Sequence, residues 1–272
     1  MALRKFNFKF QISNFKLRIF VIVLCLPILA FSQKKGSLGW AWQNPLPQGN
    51  PLYSIRFAKD NLTGFAVGAD STILSTTDGG FNWTAIVTAV DTTFSGVFIK
   101  DKLRVVVVGA RGTILITNDG GKIWTKRESN SKSQLYNVTF IGETGFAVGS
   151  YGTILKTEDG GNTWKTLPTN ISTHLQNVAF FDVQNGVAIG QNGLILKTED
   201  GGNTWKTSTP SQSLILTGIS YLSANKIVIV GYNGCVLVSE DAGETWQKIN
   251  VFSQVDFLSL SFADDKKGFM SD

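Results

Sequence analysis

One eight-residue motif recurs five times along this chain at a nearly constant interval. The copies are Thr76-Thr77-Asp78-Gly79-Gly80-Phe81-Asn82-Trp83, Thr117-Asn118-Asp119-Gly120-Gly121-Lys122-Ile123-Trp124 and Thr157-Glu158-Asp159-Gly160-Gly161-Asn162-Thr163-Trp164. Thr198-Glu199-Asp200-Gly201-Gly202-Asn203-Thr204-Trp205 and Ser239-Glu240-Asp241-Ala242-Gly243-Glu244-Thr245-Trp246 complete the set. The aspartates stand at 78, 119, 159, 200 and 241, so the chain is an array of one supersecondary unit, and that unit governs the fold.

Each unit reads as four strands. The first is an alternating run, as in Leu135-Tyr136-Asn137-Val138-Thr139-Phe140 and Leu175-Gln176-Asn177-Val178-Ala179-Phe180. A polar turn follows, ending in Gly64, Gly145 or Gly186, and then a second strand of the form Gly-Phe/Val-Ala-Val/Ile-Gly. A two-residue turn, read as the centre of Gly109-Ala110-Arg111-Gly112 and of Gly190-Gln191-Asn192-Gly193, leads into the third strand. The Asp motif turns the chain again into a short fourth strand after each Trp. Four antiparallel strands per unit, with no helix between units, predict an all-β chain: a β-propeller of four-stranded antiparallel blades, with five complete repeats plus a truncated sixth. The repeats run about 51–91, 92–132, 133–172, 173–213 and 214–254, with a partial unit at 255–272. The last unit stops without a cap, so a fragment of a longer product and an incompletely or loosely closed ring are expected. Trp42 to Pro47 resembles a fourth strand whose first three are missing.

Residues 1–32 read as a signal peptide. Arg4, Lys5, Lys9, Lys16 and Arg18 precede an apolar run from Ile19 to Leu29, and Ala30-Phe31-Ser32 offers small residues at a cleavage site. The run is short for a membrane span, so no stable span is expected after cleavage. The formal charge of +5 is the charge of this segment, and the mature chain, 33–272, is formally neutral. That argues against a nucleic-acid partner, which requires a basic footprint. The expected location is outside the cytoplasm: periplasmic, cell surface or secreted. Cys235 is then the sole cysteine and reads as a small buried hydrophobe.

The spacing Ser/Thr-x-Asp-x-Gly-x-x-Trp resembles the Asp-box, or BNR, repeat. The Asp carboxylate is suited to accept backbone N–H groups across a turn, the Gly to adopt a left-handed backbone, and the indole to bury apolar area between blades. Asp78, Trp83, Asp119, Trp124, Asp159, Trp164, Asp200, Trp205, Asp241 and Trp246 are therefore assigned a structural role. The fuller unit, Gly145-Phe146-Ala147-Val148-Gly149 through Trp164, is similar to the repeat of the photosystem II stability/assembly-factor-like family, including its exported bacterial members. That resemblance spans roughly residues 40–272. It implies a seven-bladed propeller and an arginine-rich partner surface. At the corresponding hairpin positions this chain has Asp70, Arg111, Tyr151, Asn192 and Asn233, of which one is basic.

Asp-box propellers also include sialidases and glycosidases, so an enzyme is the rival reading. Glycoside hydrolysis needs two facing carboxylates. Most acids fall in the Asp-box turns or in the strand 1–2 turns, leaving Asp70, Asp91, Glu128 and Asp256 for the opposite face, where ligands are expected. A sialidase-like arginine triad is not evident in Arg56, Arg104, Arg111 and Arg127. His174, the sole histidine, reads as a solvated loop residue, and no cofactor or metal site is expected. What this leaves is an exported, non-catalytic scaffold binding a protein or glycan partner. Arg111, Tyr151, Gln191, Asn192, Tyr232 and Asn233 are the candidate ligand rim.

Overall fold

A computed structural model describes residues 49–208, 214–251, 254–264 and 267–272, all within the second of two compact units, Trp42–Asp272. The segment 1–32, the Trp42–Pro47 strand and part of the 206–211 loop lie wholly or partly outside the described residues.

Five sheets of four strands follow one another in chain order. Blade 1 comprises β1 (Leu52–Phe57), β2 (Gly64–Gly68), β3 (Ile73–Thr76) and β4 (Thr84–Ile86). Blade 2 comprises β5 (Phe94–Ile99), β6 (Val105–Gly109), β7 (Ile114–Thr117) and β8 (Thr125–Arg127). Blade 3 comprises β9 (Leu135–Ile141), β10 (Thr144–Gly149), β11 (Ile154–Thr157) and β12 (Lys165–Leu167). Blade 4 comprises β13 (Leu175–Phe180), β14 (Gly186–Gly190), β15 (Ile195–Thr198) and β16 (Lys206–Thr207). Blade 5 comprises β17 (Leu216–Tyr221), β18 (Ile227–Gly231), β19 (Cys235–Ser239) and β20 (Gln247–Lys248), and a further hairpin joins β21 (Ser259–Phe262) to β22 (Gly268–Ser271). Every pairing is antiparallel between sequence neighbours, as β-propeller blades require.

Burial explains why these segments become strands. The second strands are buried at every residue in all five blades except at Thr144, the first residue of β10, which is why they read as continuous apolar runs rather than as alternation. The first strands alternate and pack beside one another from blade to blade, so they form the inner edge. The fourth strands are two or three residues long and mostly exposed, which blunts an outer edge that would otherwise pair with other chains. The hydrophobic core lies in the seams. One cluster joins Val106, Val108 and Ile116 of blade 2 to Leu135, Phe140 and Trp164 of blade 3. In the next seam Phe146 stacks on Phe180 at 3.9 Å and 10°. Cys235 is buried in the seam between blades 4 and 5, where burial pushes its thiol pKa up, as its reading as a small hydrophobe requires. At the two ends of the series, β1 and the β21–β22 hairpin are largely exposed.

Two regularities escaped the sequence reading. Every first strand of the five blades carries a β-bulge near its start, at Tyr53, Ser95, Tyr136, Gln176 and Thr217. A ring also sits on a glycine in several blades: Phe140 pairs with Gly145 and Phe180 with Gly186, and a Cβ on either glycine would lie 2.4 Å from the ring. Replacing Gly145 by alanine is accordingly expected to displace the Phe140 ring from Trp164 and cost about 1–3 kcal/mol. Urea unfolding measures this; an unchanged midpoint would show that the ring yields freely.

Candidate functional site

The chain has two faces to compare, and backbone hydrogen bonds define them. On one, each Asp-box turn bonds to the strand 1–2 turn of its own blade: Gly79 N–H to Leu62 O, Gly120 to Leu103, Gly160 to Glu143 and Gly201 to Gln184, each at 2.9 Å. On the other, each strand 2–3 hairpin bonds to the linker entering the next blade: Gly112 N–H to Ser133 O, Gly152 to Thr173, Gly193 to Leu214 and Gly234 to Val255, at 2.7–2.8 Å.

The Asp-box turns are hydrogen-bond knots. In blade 3 the Thr157 hydroxyl donates to Asp159 Oδ1 at 2.8 Å and accepts the Gly161 N–H at 3.0 Å. Asp159 Oδ1 also accepts the Thr163 N–H at 2.9 Å, Oδ2 accepts the Thr163 hydroxyl at 2.6 Å, and the Trp164 indole donates to Gly161 O at 2.9 Å. The same hydroxyl–carboxylate bond recurs from Thr76, Thr117, Thr198 and Ser239. These bonds hold the carboxyls in their charged form. The Thr163 hydroxyl leads in lowering Asp159 to about 2, the Asn82 backbone N–H in lowering Asp78 to about 2, and the Thr245 hydroxyl in lowering Asp241 to about 2. Backbone and hydroxyl donors lower Asp119 and Asp200 as well. The indoles lie in the seams with the preceding blade, Trp164 buried and Trp124, Trp205 and Trp246 half-buried, while Trp83 meets Phe57 edge-on at 6.0 Å.

The strand 2–3 hairpins are built differently. In blade 2 the Thr113 N–H bonds to Ala110 O at 3.0 Å, with Arg111 (φ 54°) and Gly112 (φ 66°) both left-handed between them. That is a type I′ turn, whose twist matches the flanking strands. Its centre is Arg111-Gly112, one residue later than the spacing of the glycines implied. Tyr151-Gly152, Asn192-Gly193 and Asn233-Gly234 occupy the same central positions. Asparagine tolerates a left-handed backbone, whereas for arginine or tyrosine it costs about 1 kcal/mol or more.

The candidate rim residues thus fall into two groups. Arg111, Tyr151, Asn192 and Asn233 stand exposed at turn centres. Gln191 and Tyr232, half-buried at the preceding corner, are tied by their N–H groups to His174 O and Ile215 O at 3.0 and 2.9 Å. His174 corrects the reading of a solvated loop residue. It is half-buried, its Nδ1 accepts the Tyr151 N–H at 3.1 Å, and its ring meets Tyr151 at 5.1 Å and Tyr136 at 6.4 Å. Asp256 fills the corresponding place in the next-but-one seam, where Oδ1 accepts the Asn233 N–H at 2.9 Å. Around these turns Ser150 donates to the Tyr136 hydroxyl at 3.0 Å, and Gln134 reaches Ser95 of the neighbouring blade at 2.6 Å. A polar, hydrogen-bonded surface with one projecting aromatic and one projecting cation results. Among the described residues there is no group of three His, Cys, Asp or Glu placed to hold a metal ion, and no helix long and apolar enough to cross a membrane.

The sequence matches the family model described as photosynthesis system II assembly factor YCF48 over residues 82–175 and again over 162–213. No curated protein matches the chain. Similar solved structures include YCF48 bound to D1 peptide, at 20% identity and a TM-score of 0.56 over 83% of this chain and 91% of that one. YCF48 from Cyanidioschyzon merolae is similar at 20% identity and a TM-score of 0.55, over 84% and 94% of the two chains. A GH74 enzyme from Niastella koreensis is similar at 17% identity and a TM-score of 0.59, over 72% of this chain and 38% of that one. At these identities the likenesses establish the fold alone.

The lowered carboxyls carry a prediction for acid stability. A carboxyl whose pKa is depressed by folding stabilises the fold fully above its unfolded value, about 3.9 for Asp, and that stability is lost as pH falls through the folded value. The melting temperature is therefore expected to fall steeply between about pH 4 and pH 2. Asp159→Asn should be less stable at pH 6 and show a shallower acid limb; parallel melting curves against pH would contradict the role given to Asp159.

Proposed function

Because the chain belongs to the photosystem II assembly-factor-like family of Asp-box (BNR) β-propellers, we propose that it is an exported, non-catalytic scaffold. It holds an extended stretch of a partner protein on the face opposite its Asp-box turns. The observation that carries this reading is the pair of strained turn centres. Arg111 and Tyr151 occupy left-handed positions that asparagine fills in blades 4 and 5, and Tyr151 is 71% exposed. A large aromatic held at a backbone cost in open solvent contributes little to folding, and such strain is concentrated where a protein binds something.

The chemistry of the rim suits a peptide. Tyr151, braced edge-on by His174, offers a rigid amphipathic ring with little rotamer entropy to lose. Arg111 supplies a planar cation for carboxylate or carbonyl oxygens, and the amides of Asn192 and Asn233 suit the donor–acceptor pattern of an extended backbone. The relative bound to D1 peptide supports a peptide over a glycan as the partner. Charge state supports a non-catalytic reading. Every described carboxyl whose pKa departs from its ordinary value is lowered, for example Asp60, Asp182, Glu143 and Glu199 alongside the Asp-box residues, whereas a glycosidase acid must be raised. Export rests on the reading of residues 1–32.

The test uses protein recovered from the exported fraction, whose N-terminus is expected at Gln33. Peptides selected on it from a random display library are titrated against wild type, Tyr151→Asn and Arg111→Asn. Each variant should bind at least tenfold more weakly, while Tyr151→Asn is as stable as wild type or up to about 1 kcal/mol more so. Binding unaffected by both substitutions, or an N-terminus that retains residues 1–32, would refute the corresponding part of the reading.

A further inference from the structure

Blade 5 breaks a packing rule that other blades keep, and a cavity opens where it does so. In blades 1, 3 and 4 a Phe at or next to the end of the first strand is paired with a Gly: Phe57 with Gly64, Phe140 with Gly145, Phe180 with Gly186. Each ring meets the Asp-box Trp of its own blade edge-on, at 5.9–6.1 Å. In blades 1 and 3 the ring tip also covers the second Asp-box glycine, so that a Cβ on Gly80 or Gly161 would lie 3.5 Å from Phe57 Cζ or Phe140 Cζ. Blade 5 instead pairs Tyr221 with Ile227. Ile227 is fully buried, and its Cδ1 stands 3.5 Å from the place of a Cβ on Gly243, the corresponding glycine. The isoleucine occupies the room the ring would take. Blade 2 substitutes there too, pairing Ile99 with Val105, but it has no ring to displace.

The displaced Tyr221 ring lies in the seam with blade 4, where its neighbour is Phe181 at 6.0 Å and 42°. Between them and the adjoining turns is a cavity of about 160 Å³, lined also by Asp182, Asn185, Lys197 and Asn225. Lys197 is already neutralised: it is paired with Glu199 at 2.9 Å and with Glu244 of blade 5. Burial works against its charge, but these partners outweigh it and raise its pKa. With Asp182 and Glu199 beside it the site carries no positive excess, which disfavours an anion. Two splayed aromatic surfaces, one of them 45% exposed at Phe181, supply an apolar wall. Around it stand the Asn225 amide and the Asp182 carboxylate, the latter oriented by the Gln184 and Asn185 N–H groups and the Asn185 amide. An apolar face ringed by hydroxyl-matching groups is what a sugar ring requires. The volume is well below the roughly 300 Å³ of pockets for larger ligands, so it admits one ring.

We propose that this seam on the Asp-box side of blades 4 and 5 is a second ligand site, taking a single neutral pyranose. It is separate from the peptide face and does not depend on it. Saturation-transfer NMR on the full-length chain with methyl glucoside, methyl galactoside, methyl mannoside and N-acetylglucosamine reads it directly. At least one should bind with a Kd of about 1–10 mM, the range expected for so few atoms. Phe181→Ala, which removes an exposed ring and should keep the wild-type melting temperature, is expected to weaken that binding at least tenfold. Ile227→Gly, which readmits the Tyr221 ring to its own blade, should abolish it, with a near-UV circular dichroism change reporting the ring's move. No transfer to any of the four sugars, or equal transfer in Phe181→Ala, would overturn the proposal. Transfer to a tetramethylammonium probe alone would overturn it in favour of a cation site.

Discussion

The hydroxyl–carboxylate bond at the head of each Asp-box turn is the interaction on which the rest of this structure depends. A buried Ser or Thr hydroxyl donates to the Asp and at the same time accepts the N–H of the second Gly position, closing the connection from third to fourth strand. With that connection closed, the indole three residues beyond the glycine is delivered into the seam with the preceding blade. The repeat is therefore a device for joining blades as much as for turning the chain. Its aspartates serve this task, each carboxylate bonded within its own turn as in Asp159.

The two faces are built differently. One consists of knotted turns whose aspartates are satisfied within their own blade. The other consists of type I′ hairpins braced by the next blade's linker, so that the residue at each turn centre projects from a rigid base. Rigid backbone beneath a variable side chain is an economical way to build a recognition surface, because ordering costs are met on folding rather than on binding. The strain at Arg111 and Tyr151 belongs to this arrangement, since the hairpin imposes a left-handed backbone on whichever residue occupies the centre.

Much of the scaffold was legible in the sequence. The interval between aspartates determined the strand count and the direction of each turn, and the blade order followed. The exposed turn positions were also legible, because the glycines after Arg111, Tyr151, Asn192 and Asn233 mark hairpins. The centre of the turn was misplaced by one residue because glycines flank it on both sides, and a left-handed pair is decided by backbone twist rather than by composition. The role of His174 could not be read, since its partner, the Tyr151 N–H, is contributed by another blade. The bulges at the start of each first strand leave no compositional mark. The seam cavity did leave one: Ile227 stands where Gly64, Gly145 and Gly186 stand in other blades. That signal acquires meaning only once the cross-strand register with Tyr221 is known.

Recognition is proposed for the hairpin face, with the Asp-box turns as scaffold. Hydrogen-exchange mass spectrometry with and without a bound selected peptide tests it most directly. Added protection is expected in residues 110–113, 150–153 and 191–194 and in the linkers they brace, with the Asp-box turns unchanged. Protection concentrated in residues 157–164 and 198–205, with the hairpins unaltered, would contradict it.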